Sequence, residues 1–147
     1  MGHFAKVVDG IVEHVIVAEQ SDIDSERHGD PSLWIQTSYN TRGGVHYDPI
    51  TYLPDGGTAL RYNYASFGYH YDSVADAFYP PMPWQSDPTN PSYVLNTTTY
   101  LWELKPEYAN AKPETPLNSV DYWAWIEEKR EWVYKDDLIP PTEENNP

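Results

Sequence analysis

The chain has 147 residues, no cysteine, and 23 acidic against 9 basic residues, which gives a net charge of −14. This length favours one domain with its own core. The lack of cysteine excludes disulfides and thiolate metal sites. The negative charge disfavours nucleic acid and anionic membranes as partners. The N-terminal sequence lacks a signal-peptide pattern and no window is apolar enough to span a membrane, so we expect a protein made in a cytoplasm. The 13 tyrosines, 6 tryptophans and 14 prolines favour short strands and turns over long helices.

The N-terminal half of the chain predicts strands joined by turns. Residues 4–17 place an Asp-Gly pair between two apolar, β-branched runs, which predicts a β-hairpin with a two-residue turn. Residues 18–32 carry charge, glycine and proline without an apolar period, and we expect an exposed connection there. Residues 33–40 alternate as a strand that ends at the turn sequence TRGG, and residues 59–72 predict a long or bent strand.

Three later segments share one spacing, in which a large apolar residue is followed seven positions later by an aromatic one. Antiparallel hairpins with four-residue loops would place the two members of each pair opposite each other. Asp72 and Asn96, at two of the loop entrances, fit because their side chains accept hydrogen bonds from amides two residues on. A helix is the alternative for 121–134, but its aromatic residues and the shared spacing favour a hairpin. The pairs are Tyr71 with Phe78, Leu95 with Trp102, and Trp125 with Trp132.

A shorter echo accompanies this spacing. The sequences GVHYD at 44–48 and GYHYD at 68–72 match at four of five positions and lie 24 residues apart. Tyr71 and Leu95 are also 24 residues apart. So few units do not predict a solenoid.

Two proline-rich stretches, 80–91 and 104–120, predict extended surface connections, because proline is excluded from helix interiors. The predicted fold class is therefore all-β: short antiparallel hairpins forming a small sandwich or open barrel, with Pro-rich extended linkers and a C-terminal hairpin. The predicted segments are a main β domain over 1–104, a linker over 105–121, a hairpin over 122–134 and an acidic tail over 135–147.

Few residues suggest catalysis or metal binding. His46 with Asp48 and His70 with Asp72 could form a metal site, but both pairs fall near turns, where aspartate commonly bonds backbone amides. No phosphate loop, nucleophile elbow or zinc-protease motif occurs, and no pattern separates the available glutamates from solvated charges. We therefore expect no enzyme, no cofactor, no metal ion and no small-molecule substrate. The glutamates considered as an acid pair are Glu103, Glu107, Glu127 and Glu131.

The aromatic residues near the C-terminus are the candidate interface. Trp123 and Trp125 share one strand face, which either covers the body of the protein or a neighbouring subunit, or stacks on sugar rings. A carbohydrate-binding module would use these rings together with Trp34 and Trp84. The candidate interface residues are Tyr122, Trp123, Trp125, Trp132 and Trp84.

Five blocks of the sequence together resemble a family of small virion proteins from tailed phages of marine and cyanobacterial hosts. The resemblance runs along nearly the whole chain, and the order of the blocks makes it more specific than any block alone. The segment MPWQSDPTNPSYVLN departs from the family pattern, because its link between the third and fourth blocks is longer. The blocks are HFAKVVDGIVEHVIVAE, GDPSLWIQTSYNTRGGVHYDP, NYASFGYHYDSVADAFYPPMPW, YVLNTTTYLWE and YWAWIEEKREWV.

The resemblance implies a structural component of the phage virion, produced in the host cytoplasm. We expect a capsid decoration or cement protein that binds other virion proteins, the capsid protein above all, and copies of itself. A tail, neck or fibre component is the alternative, and a carbohydrate-binding module for host attachment is another. The strong negative charge agrees with a place away from the packaged DNA.

Overall fold

The computed structural model describes residues 1–83, 86–114 and 122–135. The fold is all-β, as predicted from the sequence. Its strands are β1 (Gly2–Val8), β2 (Ile11–Ala18), β3 (Trp34–Thr37), β4 (Thr41–Arg42), β5 (Val45–His46), β6 (His70–Asp72), β7 (Ala77–Tyr79), β8 (Tyr93–Asn96), β9 (Leu101–Leu104), β10 (Tyr122–Ile126) and β11 (Glu131–Lys135). The helical segments are α1 (Gln20–Asp24), a 3-10 turn (Pro31–Leu33) and α2 (Pro106–Ala109).

A five-stranded antiparallel sheet in the order β3-β1-β2-β6-β7 forms half a barrel. The predicted N-terminal hairpin is its centre, with β1 and β2 joined by a turn at Asp9-Gly10. Both turn residues have positive φ, 52° and 78°, as a two-residue hairpin turn of the primed type requires. The other pairs, β4 with β5, β8 with β9 and β10 with β11, are two-stranded hairpins.

Side chains pack on both faces of the sheet, because neighbouring residues of β1 point to opposite sides. On one side Phe4 joins a buried cluster with Trp34 and Ile23. On the other side Ala5 joins a cluster that contains Val12 and Phe78, with Phe78 fully buried. The half-barrel is therefore the core of the N-terminal part of the chain.

The connection over 18–32 is mostly exposed, as predicted, but it also contains α1, whose Ile23 is buried against the sheet. One apolar residue in a charged segment carries no periodic signal for such a helix. Another prediction for the N-terminal half was wrong. The strand predicted over 59–72 is limited to β6, since Arg61 and Tyr62 have φ of 56° and 70°, which an extended strand does not allow. The β-propensity of this tyrosine-rich segment is overridden by its tertiary contacts.

The proline-rich stretch over 104–120 was also predicted to be extended throughout, and this is wrong for its first part. The short helix α2 begins at Pro106, where proline is accepted because the first helical residue needs no amide donor. Residues 115–120 lie outside the described residues.

The chain forms two compact units. The first comprises residues 1–82 and 95–103, and the second contains the described residues of 83–94 and 104–135. The segment boundaries predicted from the sequence stay a prediction, and the acidic tail lies outside the described residues except for Lys135.

Candidate functional site

Four hairpins share one construction, and we call them the repeated hairpins. Three were predicted, with Tyr71 opposite Phe78 in β6–β7, Trp125 opposite Trp132 in β10–β11, and β8–β9 between them in sequence. The remaining one spans residues 47–54, and its two end residues form an antiparallel bridge. In chain order the first repeated hairpin is 47–54, the second is β6–β7, the third is β8–β9 and the fourth is β10–β11. Its start lies 24 residues before Tyr71, so the echo between GVHYD and GYHYD was the signal for it.

The loops of three repeated hairpins are capped by the residue that precedes them. Asp48 Oδ1 accepts hydrogen bonds from the amides two and three residues on, at 2.8 and 3.0 Å. Asp72 does the same at 2.9 and 3.0 Å, and Asn96 at 2.8 and 3.2 Å, which confirms the predicted turn role of the last two. Sequence reasoning missed that the fourth loop residue is left-handed, because no glycine marks it. These residues are Tyr52, Asp76, Tyr100 and Arg130, with φ of 60°, 55°, 56° and 52°.

Buried Asn63 holds several turns of the first unit in place. Its Oδ1 accepts a hydrogen bond from the Gly43 amide at 2.8 Å. Its Nδ2 donates to the carbonyl oxygens of Phe78 at 2.9 Å and Tyr100 at 3.0 Å, with Thr99 more distant at 3.3 Å. The β4–β5 turn, β7 and the loop of the third repeated hairpin are therefore tied to one amide group.

The loop tips of the first two repeated hairpins expose apolar side chains. Ile50 and Val74, both at the second loop position, are 84% and 96% exposed. At the same position the third and fourth repeated hairpins have Thr98 and Glu128, which are also exposed. The fold therefore accepts polar residues at this position, and isoleucine or valine there is not needed for folding.

The C-terminal hairpin is confirmed, and a helix over its described residues, 122–135, is excluded. Trp125 and Trp132 meet edge to face with ring centroids 5.5 Å apart, and Trp125 also lies 5.2 Å from the ring of Tyr108 in α2. The indole nitrogen of Trp132 donates to the Tyr108 carbonyl at 2.8 Å. The indole nitrogen of Trp125 donates to buried Glu127 at 2.7 Å. These rings therefore pack within the second unit.

The candidate interface residues differ in how accessible they are. Tyr122 is 46% exposed, whereas Trp123, Trp125 and Trp132 are half-buried. Trp84 lies outside the described residues. Their role in an interface stays a prediction.

Trp34, suggested for sugar stacking, is 7% exposed. Its indole nitrogen donates to the carbonyl of His28, and its ring faces inward against the sheet. Trp34 is therefore unable to stack on a ligand, and this part of the carbohydrate prediction was wrong.

The residues considered for metal binding have structural partners. Asp48 caps its loop, and hydrogen bonds from the Thr51 and Ile50 amides lower the pKa of its carboxyl. His46 Nδ1 lies 2.7 Å from Asp55 Oδ1, within hydrogen-bond distance. This bond and, after it, the hydrogen bond from the Gly57 amide lower the pKa of Asp55. Within residues 1–83, 86–114 and 122–135, no group of three or more His, Cys, Asp or Glu side chains could hold a metal ion.

Two of the four glutamates have structural contacts. Glu103 accepts a hydrogen bond from the Asn96 amide group at 3.0 Å, and Glu127 is buried beside Trp125. Glu107 lies in the first turn of α2, and Glu131 is exposed. The expectation that the protein is no enzyme stays a prediction.

A carboxylate, a guanidinium and a phenol form a polar contact beside the second repeated hairpin. Asp76 Oδ1 accepts hydrogen bonds from the Tyr71 hydroxyl and from Arg61 Nε, at 2.5 and 2.8 Å. The bond from Tyr71 and, after it, the contact with Arg61 lower the pKa of Asp76. Burial, and then the hydrogen bond to Asp76 and the charge of that carboxylate, raise the pKa of Tyr71.

Comparisons of the chain with protein-family models, with curated proteins and with solved structures find no match. Among the described residues, none of the helices has the length and apolar character needed to cross a membrane. The assignment to a phage protein family stays a prediction.

Proposed function

We propose that this protein is a non-enzymatic structural component of a tailed-phage virion that decorates or cements the capsid exterior. The resemblance of its five sequence blocks to small virion proteins motivates the proposal. The observation that carries it is the exposure of Ile50 and Val74 at equivalent loop tips, where the other repeated hairpins have polar residues.

Apolar side chains at such tips favour contact with another protein. Burying an isoleucine or valine side chain contributes about 1.5–3 kcal/mol, a factor of about 10 to 100 in affinity. The Asp48 and Asp72 caps hold these tips in one conformation, so binding costs less conformational entropy than it would for flexible loops.

The charge supports a capsid protein, and not DNA, as the partner. A net charge of −14 repels phosphate and favours association with a neutral or basic protein surface. Other virion proteins and further copies of this chain are the proposed partners. A tail, neck or fibre component is the second candidate, since the same apolar loop tips would serve any virion neighbour.

The decisive experiment uses purified particles of a phage that encodes this chain. Mass spectrometry should detect the chain in the particles, and a particle reconstruction should place it on the capsid surface. Density on the tail would refute the decoration role and favour the second candidate. Absence from the particles would refute both.

Charged substitutions at the loop tips test the proposed contact. Ile50→Glu and Val74→Glu should each lower the amount of chain retained on the particle by about tenfold, because a glutamate loses the apolar burial. Thr98→Glu is the matched control, since it adds the same charge at the same loop position where the native residue is already polar. Equal retention of all three variants would contradict a contact through the apolar tips.

A further inference from the structure

Two open hollows in the first unit adjoin each other at Tyr39. The larger has a volume of about 470 Å³ and is lined by Gln36, Ser38 and Asn40 among other residues. The smaller has about 260 Å³ and is lined by Thr41 among others. Tyr39 lines both, so a ligand in contact with its ring would reach into either hollow. The larger volume falls in the range of small-molecule sites in proteins.

The Tyr39 ring is exposed and yet held in one orientation. It is 64% exposed, although it stacks on the His3 ring with centroids 5.7 Å apart and planes 22° from parallel. Tyr64 meets Tyr39 edge to face at 5.2 Å, and meets His3 edge to face at 5.4 Å. Three mutually packed rings form a rigid platform, which costs little conformational entropy when a ligand binds.

Most of the lining side chains are neutral and polar, and the charged exception is Arg42 in the smaller hollow. Amide groups of Gln36 and Asn40 and the hydroxyl group of Ser38 line the larger hollow. The chain has 23 acidic residues, but none of them is among the described residues that line either hollow. Such a lining offers hydrogen-bond donors and acceptors, and the Arg42 guanidinium adds further donors in the smaller hollow.

Thr41 supplies a second, independent observation. It is 4% exposed and lines the smaller hollow, and its Oγ1 has no hydrogen-bond partner among the described residues. Buried hydroxyl groups without a partner are rare, because each costs free energy. The Oγ1 atom itself is buried, and a rotation of the Thr41 side chain toward the smaller hollow would let a ligand hydroxyl pair with it.

We propose that Tyr39 is the platform of a binding site for neutral oligosaccharides. One face of a sugar ring carries C–H groups, which are attracted to the negative face of an aromatic ring, while its hydroxyl groups bond to amides and hydroxyls. Successive sugar rings occupy the two hollows, with the Thr41 hydroxyl bonding to the ring in the smaller one. Phosphate-bearing ligands are disfavoured by the net charge of −14. The site is independent of the aromatic residues of the C-terminal hairpin and of the role proposed for the loop tips.

Amide chemical-shift titrations of the full chain test the site. The probes are maltotriose, cellotriose, tri-N-acetylchitotriose and, as an acidic comparison, trigalacturonate. At least one neutral trisaccharide should bind with a dissociation constant below about 5 mM and shift the amides around Tyr39 and Thr41. The absence of binding by every neutral probe up to about 10 mM, or binding of trigalacturonate alone, would overturn the proposal.

Three variants separate the ring from the hydroxyl. Tyr39→Ala should weaken binding by about tenfold or more, because the stacking surface is lost. Phe67→Ala is the matched control, since Phe67 is a 79% exposed aromatic residue of the same unit that is not among the lining residues given for the hollows. Thr41→Val should weaken binding by about threefold or more while leaving thermal stability equal or higher, because it removes a buried unpaired hydroxyl. Unchanged binding in Tyr39→Ala, or equal weakening in Phe67→Ala, would overturn the assignment.

Discussion

Replacing Asn63 should destabilise the first unit more than any single hydrogen bond would suggest. Its amide group connects the Gly43 amide with the carbonyl oxygens of Phe78 and Tyr100, at 2.8 to 3.0 Å, and the residue is 4% exposed. Truncation to alanine removes these three bonds and leaves the backbone groups without their partner in a buried place. The turn of β4–β5, strand β7 and the loop of the third repeated hairpin would then lose their common connection.

The magnitude follows from the number of groups left without a partner. A hydrogen bond contributes about 1 kcal/mol net, and a buried polar group that loses its partner costs about 1–3 kcal/mol. Some relaxation lets water reach the freed groups, so Asn63→Ala should lower the free energy of unfolding by about 3–5 kcal/mol. Since small domains have about 5–15 kcal/mol in total, this is a large fraction of the stability.

Asn63→Asp tests the direction of the hydrogen bonds. It replaces the Nδ2 donor by an oxygen that faces carbonyl oxygens, so at pH 7 the loss should exceed that of Asn63→Ala. The neighbouring carbonyls raise the pKa of the introduced carboxyl in the folded state. Its penalty should therefore shrink as the pH falls toward 5, because the protonated carboxyl donates again.

Urea unfolding at pH 7 and pH 5 measures these differences, with Asn96→Ala as the comparison. Asn96 caps a half-exposed loop, so its loss should cost only about 1 kcal/mol. A cost below about 1 kcal/mol for Asn63→Ala would refute the reasoning. So would an Asn63→Asp variant whose stability follows pH as the native protein's does.

Three further measurements test the fold. Phe78→Ala should lower the free energy of unfolding by about 3–5 kcal/mol in the same urea assay, because Phe78 is fully buried; a cost near that of a surface site would place it outside the core. Asp72→Ala should cost about 1 kcal/mol and Asp72→Asn much less, since asparagine keeps the capping oxygen. Asp76 has a pKa below its ordinary 3.8, so it stabilises the fold above that pH and loses this contribution as the pH falls through its folded pKa. Acid titration of Asp76→Asn should therefore show a shallower loss of stability below pH 4 than the native protein, and identical acid limbs would contradict the assigned contact.

The hairpins were predictable from the sequence because their signals are local. The Asp-Gly turn and the seven-residue spacing between facing apolar and aromatic residues each depend on residues within one loop and its two flanking strands. The hairpin over 47–54 was missed because Pro54 stands where the others have an aromatic residue, although the backbone bridge and the Asp48 cap are the same. The left-handed fourth loop residue had no signal, since a tyrosine or arginine there does not mark positive φ as glycine would.

The candidate site was predicted less well, because exposure depends on residues far away in sequence. The Trp34 ring looked available for stacking, but packing with Phe4 and Ile23 buries it. The Tyr39 platform was overlooked, since it needs His3 and Tyr64, which lie 36 and 25 residues from Tyr39. No local pattern in a tyrosine-rich chain separates the exposed ring from those that pack.

The amino-acid sequence by itself determined the all-β character, the turns and the hairpin registers, because strand propensity and turn chemistry act between near neighbours. Only the tertiary structure decided which of the many aromatic rings are buried, and that residues 59–69 form an irregular segment where a strand was expected. Those outcomes depend on contacts such as the hydrogen bonds of Asn63, 15 and 37 residues from two of its partners. Which side chains become buried depends on contacts between residues far apart in the sequence, and these contacts form only when the chain packs. Local sequence patterns therefore do not predict them.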